Sequence, residues 1–163
     1  MSLKVTLTLS SVAGALLLVS ALNAAWAQDN TESVKALRCV FSRNATGKWP
    51  RDGSADSVVK DSNLILRFDA INVDEGSAQL KSGTVATGIT AQSNGGNLHL
   101  IQAFKSGALY ITTVFVKESG KGKLKAVHSR HEYFKVPLEG ATSSPEQYYG
   151  ECEVDTQGSN DRK

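Results

Sequence analysis

Two cysteines, Cys39 and Cys152, stand near the two ends of the region of this chain that carries strand-like patterning. An even count allows a single intramolecular pairing. The loop it closes spans 113 residues, and in the chain-entropy model such a bridge contributes roughly 4–5 kcal/mol, reduced by native-state strain. The geometric consequence constrains the fold more. Bridged Cα atoms lie within about 7 Å, so the first and last elements of the domain must be neighbours. A redox role is disfavoured, because neither cysteine belongs to a C-x-x-C pair. Glu151 and Glu153 flank Cys152 and would raise a thiol pKa, blunting it as a nucleophile.

Bridges of this kind persist in oxidising compartments, and the N-terminus supplies a route there. Lys4, the apolar run 12–22 and Ala25-Trp26-Ala27 form the three-part layout of a secretory signal, with cleavage before Gln28. The run is too short for a membrane span, which needs about 20 apolar residues. Arg38 before Cys39 does not suit a lipoprotein signal. The expected organisation is a signal peptide over 1–27, a flexible N-terminal segment over 28–35, a β-barrel domain over 36–154 and a disordered tail over 155–163. The short Ala/Leu signal reads as bacterial, which places the mature chain in the periplasm or outside the cell. Removing 27 of 163 residues leaves 136, the size of one domain. Of 18 basic and 16 acidic residues only Lys4 is lost with the signal, leaving a net charge of +1. That balance gives no reason to expect a nucleic-acid partner.

Period-2 alternation recurs along the mature chain, and no stretch of helical length has a 3.6 period. The pattern predicts strands over 37–42, 64–70, 78–81, 84–91, 98–104, 108–116, 123–131 and 148–154. Gly83 and Gly88 are candidate bulges or bends, and Ser93-Asn-Gly-Gly-Asn97 is the strongest hairpin turn. Segments 44–62 and 137–145 read as irregular. Short connections together with stapled ends predict an all-β fold, a single antiparallel barrel of about eight strands, closed or nearly closed and of up-and-down type. A β-sandwich is the alternative. Gly47-Lys48-Trp49 resembles the G-x-W near the start of lipocalin and avidin barrels, which implies the same architecture with an apolar interior. The match covers three residues, Pro50 follows it directly, and no residue role is carried over. Leu64, Leu66, Phe68, Leu98, Leu100, Phe104, Leu109, Ile111 and Phe115 are the expected inward residues, enough to fill an eight-stranded interior.

Few residues suggest chemistry. His128, Arg130 and His131 form a possible functional cluster, and His99 adds a third imidazole, the number a catalytic zinc would need. Strand geometry opposes a metal site, since residues three apart point to opposite faces. Ser57-Val-Val-Lys60 fits S-x-x-K, but 18 serines and 12 lysines in 163 residues predict about one chance match. Neither a nucleophile elbow nor a P-loop occurs, and no cofactor or metal is expected. Lys117, Lys121, Lys123 and Lys125 cluster round one hairpin and could attract anions or a partner, or serve only as a solvated tip. Asn44-Ala45-Thr46 matches the glycosylation acceptor, and Tyr148-Tyr149 sits beside the expected bridge. The reading is a non-enzymatic exported barrel that binds an envelope component or protein partner. The alternative is a lipocalin-like carrier of a small apolar ligand.

Overall fold

Apolar residues at every second position give a strand one dry and one wet face, and a sheet can enclose its dry face by closing on itself. The computed structural model describes residues 33–48, 54–120, 122–132 and 144–155, and in it the alternating segments form a closed ring of eight antiparallel strands. They are β1 (Leu37–Lys48), β2 (Asp56–Asn72), β3 (Ser77–Ser82), β4 (Val85–Asn94), β5 (Asn97–Ala103), β6 (Leu109–Gly120), β7 (Lys123–Glu132) and β8 (Ser144–Val154). Each pairs with its neighbour in sequence, and β1 pairs with β8 to close the ring. That last pairing excludes the sandwich. The fold is the expected up-and-down barrel.

The seam carries the bridge. Cys39 and Cys152 are directly opposite in the β1–β8 register, disulfide-bonded, with Cα atoms 3.9 Å apart. Both are fully buried. Two residues on, Phe41 faces Gly150. A Cβ at Gly150 would overlap the Val40 carbonyl oxygen and come within 2.6 Å of the Phe41 Cα. Glycine is therefore what lets the two strands meet this closely beside the β1 bulge between Phe41 and Arg43.

The barrel has two unlike ends. At the base, where β1 begins and β8 ends, lie Leu37, Cys39, Phe68, Ile71, Leu98 and Val114, all buried. Val34, expected in the flexible lead-in, is buried in the same cluster. Its segment is tied down by Ile71 N donating to the Lys35 carbonyl at 3.0 Å and Asp155 N to the Ala36 carbonyl at 3.1 Å. The expected hairpin turn is present between β4 and β5, with Gly95 and Gly96 at φ 57° and 78°. Two consecutive positive φ angles are the type I′ requirement, which glycine meets without steric cost.

Three expectations are corrected. Segment 44–62 is not a long irregular connection: β1 runs on to Lys48, and β2 starts at Asp56. The β2 arm of this hairpin is exposed on both faces from Asp56 to Asp61, so the alternation that marks a half-buried strand is missing there. Gly88 marks neither bulge nor bend, since it sits in an uninterrupted β3–β4 register, whereas Gly83 lies in the turn before β4, a bend as expected. The inward face of β6 is the opposite of the expected one. Thr112 and Val114 are buried, whereas Leu109, Ile111 and Phe115 alternate with them on the outer face, and Phe104 is exposed beyond the end of β5. β6 is apolar on both faces, so periodicity gave no parity there. Leu64, Leu66, Phe68, Leu98 and Leu100 are inward as expected.

Candidate functional site

Strand register stacks the inward side chains in layers, and these become more polar toward the mouth, the end where β1 finishes and β8 begins. Val114, Ala126, Gly150 and Phe41 form one apolar layer across β6, β7, β8 and β1. One step toward the mouth, Thr112, His128, Tyr148 and Asn44 are register partners. One step further come Tyr110, Arg130, Glu146 and Thr46. Alternation places His128, Arg130 and Glu132 on the same face of β7.

His128 is buried and engaged at both nitrogens. Its Nδ1 lies 2.8 Å from Thr112 Oγ1, and Arg130 Nε donates to its Nε2 at 3.1 Å. A guanidinium only donates, so Nε2 must hold a lone pair and Nδ1 the proton, which is given to Thr112. The rings of Phe41, Tyr110 and Tyr148 surround it, with centroids 5.8–6.0 Å away. Burial foremost, then the Arg130 charge, lower its pKa from 6.5 to about 4. His128 is thus a neutral, oriented imidazole at neutral pH.

Arg130 lies above it, half-buried, with its guanidinium 5.2 Å from the Tyr110 ring centroid and 5.1 Å from that of Tyr148. Cation–π attraction on both sides restrains it. Each tyrosine hydroxyl in turn donates to a carboxylate, Tyr110 to Glu132 at 2.5 Å and Tyr148 to Glu146 at 2.7 Å. The Tyr110 phenol pKa is raised, first by its bond to Glu132 and then by burial. For Tyr148 burial comes first and the bond to Glu146 second. Asn44 is 4% exposed, accepts from Thr46 Oγ1 at 2.9 Å, and has an amide nitrogen, Nδ2, with no partner among the described residues. That buried nitrogen is also the atom of the glycosylation motif, so the folded barrel does not present it.

Below these groups the described inward residues pack into one apolar cluster. A cavity among the described residues between Leu66, Leu80, Ile89, Leu100 and Thr112 measures about 10 Å³, room for about one water.

The remaining candidates separate. His131 is on the outer face and exposed, away from His128 and Arg130. His99 is also outward, its Nδ1 3.1 Å from Thr113 Oγ1. Lys121 lies outside the described residues, and Lys117 is placed only by its position on β6. Lys123 and Lys125 are on β7 beside β8, where the register sets Lys125 against Glu151. Lys123 Nζ is 3.9 Å from Glu153, which also accepts from Arg38 at 3.1 Å. The expected basic patch is therefore crossed by a row of acids that sequence proximity did not reveal. An outer concavity of about 580 Å³ runs over this region, lined by Val40, Phe115, Val127 and Tyr149 together with these charges. Tyr148 and Tyr149 point to opposite faces, the first packing against the core and the second 43% exposed. Trp49 lies outside the described residues.

No protein-family model matches the chain, nor does any curated protein or solved structure. The sequence reading missed Tyr110, Glu146 and the burial of Asn44, and gave Glu132, at the end of the 128–132 run, no role. The 128–132 parity was available as a signal, since His128, Arg130 and Glu132 occupy alternate positions.

Proposed function

We propose that the protein is exported and acts without catalysis, binding an envelope component or a protein partner through its mouth and outer surface. The observation that carries this reading is how little space the described interior residues leave. A carrier needs a pocket of roughly 300 Å³ or more for a small molecule, and the interior cavity among the described residues measures about 10 Å³. Ligand contact is therefore assigned to the outside and the mouth rather than the lumen.

Three further features support the reading. A buried disulfide in an all-β fold is consistent with an exported protein, and it agrees with the signal layout of residues 1–27. The outer face carries the ion pairs Arg38–Glu153, Arg43–Asp61 and Arg67–Asp155; such charges suit water and would be costly against lipid. No helix among the described residues is long and apolar enough to cross a membrane. His128, the histidine with the most unusual surroundings, is buried with both nitrogens engaged, which suits support better than proton exchange with a substrate. Native mass spectrometry of protein purified from its own host tests the reading. The expected result is the mass of the bridged chain starting at Gln28, with no small ligand attached. A co-purified apolar molecule would transfer the function to the lumen.

A further inference from the structure

The mouth groups do not act as an ordinary salt-bridge cluster. Arg130 and Glu146 are register partners, and each inward carboxylate spends an oxygen on a tyrosine. Among the described residues Arg130 makes its one hydrogen bond through Nε, to His128, and no ion pair. Both of its terminal nitrogens are thus left without a protein acceptor there, on a half-buried, ring-clamped side chain. Side-chain entropy normally makes such a fork costly to hold. Here the two rings hold it in advance of any ligand. Glu132 Oε2 and Glu146 Oε1 accept nothing from the described residues, since the tyrosines use the other oxygen of each.

We propose that the mouth is a saccharide-binding site, in which Arg130 donates to, and Glu132 and Glu146 accept from, the hydroxyl groups of a neutral sugar. Charge decides the class of ligand. An anion drawn to Arg130 would meet two carboxylates, and a cation drawn to the carboxylates would meet the guanidinium. A hydroxyl donates and accepts at once, which is what a mixed ring of fixed donors and acceptors requires. A peptide fits less well, because the closed ring offers no free strand edge to extend and the layer at the mouth is polar. The inference rests on the surface-binding function above and names a substrate class for it.

The test is a ¹H–¹⁵N NMR titration of the purified, disulfide-bonded protein with neutral oligosaccharides of glucose, galactose, mannose and N-acetylglucosamine at millimolar concentration. At least one is expected to give saturable shifts at backbone amides of residues 128–132 and 144–148. Arg130→Met and Glu146→Gln should each weaken that binding at least tenfold, and Lys125→Ser on the outer face should leave it unchanged. If Arg130→Met fails to fold, Glu146→Gln decides alone, since its carbonyl still accepts from Tyr148. The proposal is overturned if no neutral sugar shifts these amides, if only inorganic phosphate or glucuronate does, or if Glu146→Gln binds as the wild type does. A silent titration alongside a ligand-free native mass removes the sugar but leaves the surface-binding function; an apolar ligand in the native mass removes that function itself.

Discussion

His128 gives the barrel a stability that depends on pH in a calculable way. In the unfolded chain its imidazole titrates near 6.5, and in the barrel near 4, because burial and the adjacent Arg130 both disfavour the imidazolium. Between those values the unfolded chain takes up a proton that the folded chain refuses. The stability linked to this histidine is therefore fully present above about pH 6.5 and is lost as the pH falls toward 4. Linkage gives a loss of about 2 kcal/mol by pH 5 and about 3 kcal/mol by pH 4, a large share of the 5–15 kcal/mol typical of a domain. Exposed carboxylates also titrate in this range, so the effect must be read as a difference. Urea unfolding at several pH values, on wild type and on His128→Gln, isolates it. The variant loses the Thr112 and Arg130 hydrogen bonds and starts less stable, but its stability should fall less steeply with acid. The gap between the two proteins should narrow by about 3 kcal/mol between pH 7 and pH 4. Parallel curves would refute the reasoning, as would an NMR titration placing the native His128 pKa near 6.5, because both would mean that the imidazole is solvated.

Two further predictions concern the seam. Replacing Cys39 and Cys152 by Ser should cost up to roughly 5 kcal/mol in chemical denaturation, and because both sulfurs are buried, reductant should open the bridge only in the presence of denaturant; rapid reduction of the native protein would contradict the burial. Gly150→Ala forces a Cβ into the Val40 and Phe41 backbone, so it should destabilise by about 3 kcal/mol or more, at the upper end for overpacking, and a variant as stable as wild type in the same assay would show that the seam is looser than described.

Much of the fold was legible, and the reason is physical. One covalent link between distant residues removes most topologies, and an antiparallel meander whose ends must touch has little choice but to close. Leu64, Leu66, Phe68, Leu98 and Leu100 were readable because polar residues, Arg67, Asp69 and His99, mark the opposite faces of their strands. β6 was not, since Tyr110-Ile-Thr-Thr-Val-Phe115 has apolar or β-branched residues on both faces. Its parity is set by its partners, through Thr112 opposite His128 and Val114 opposite Ala126. The same limit hid the acids facing Lys123 and Lys125. Glu151 and Glu153 are far from them in sequence and adjacent only once β7 and β8 pair.

The site was half legible for a related reason. Arg130 and His128 stood out by residue type, and spacing correctly separated His128 from His131. What sequence could not show is why they are inward at all. A barrel interior is filled by whatever alternates into it, and toward the base that means Leu, Phe, Val and the disulfide. Toward the mouth the same alternation delivers Thr, Tyr, His, Arg and Glu from three consecutive strands. A polar layer of that kind adds less to stability than an apolar one, since hydrogen bonding must first offset the cost of desolvation. Stability alone would be served better by carrying the apolar layers upward. Arg130 is clamped by two rings and oriented by a buried histidine, yet its terminal nitrogens are unspent among the described residues. That degree of preorganisation contributes little to folding and a great deal to binding, because the ordering entropy is met before a ligand arrives.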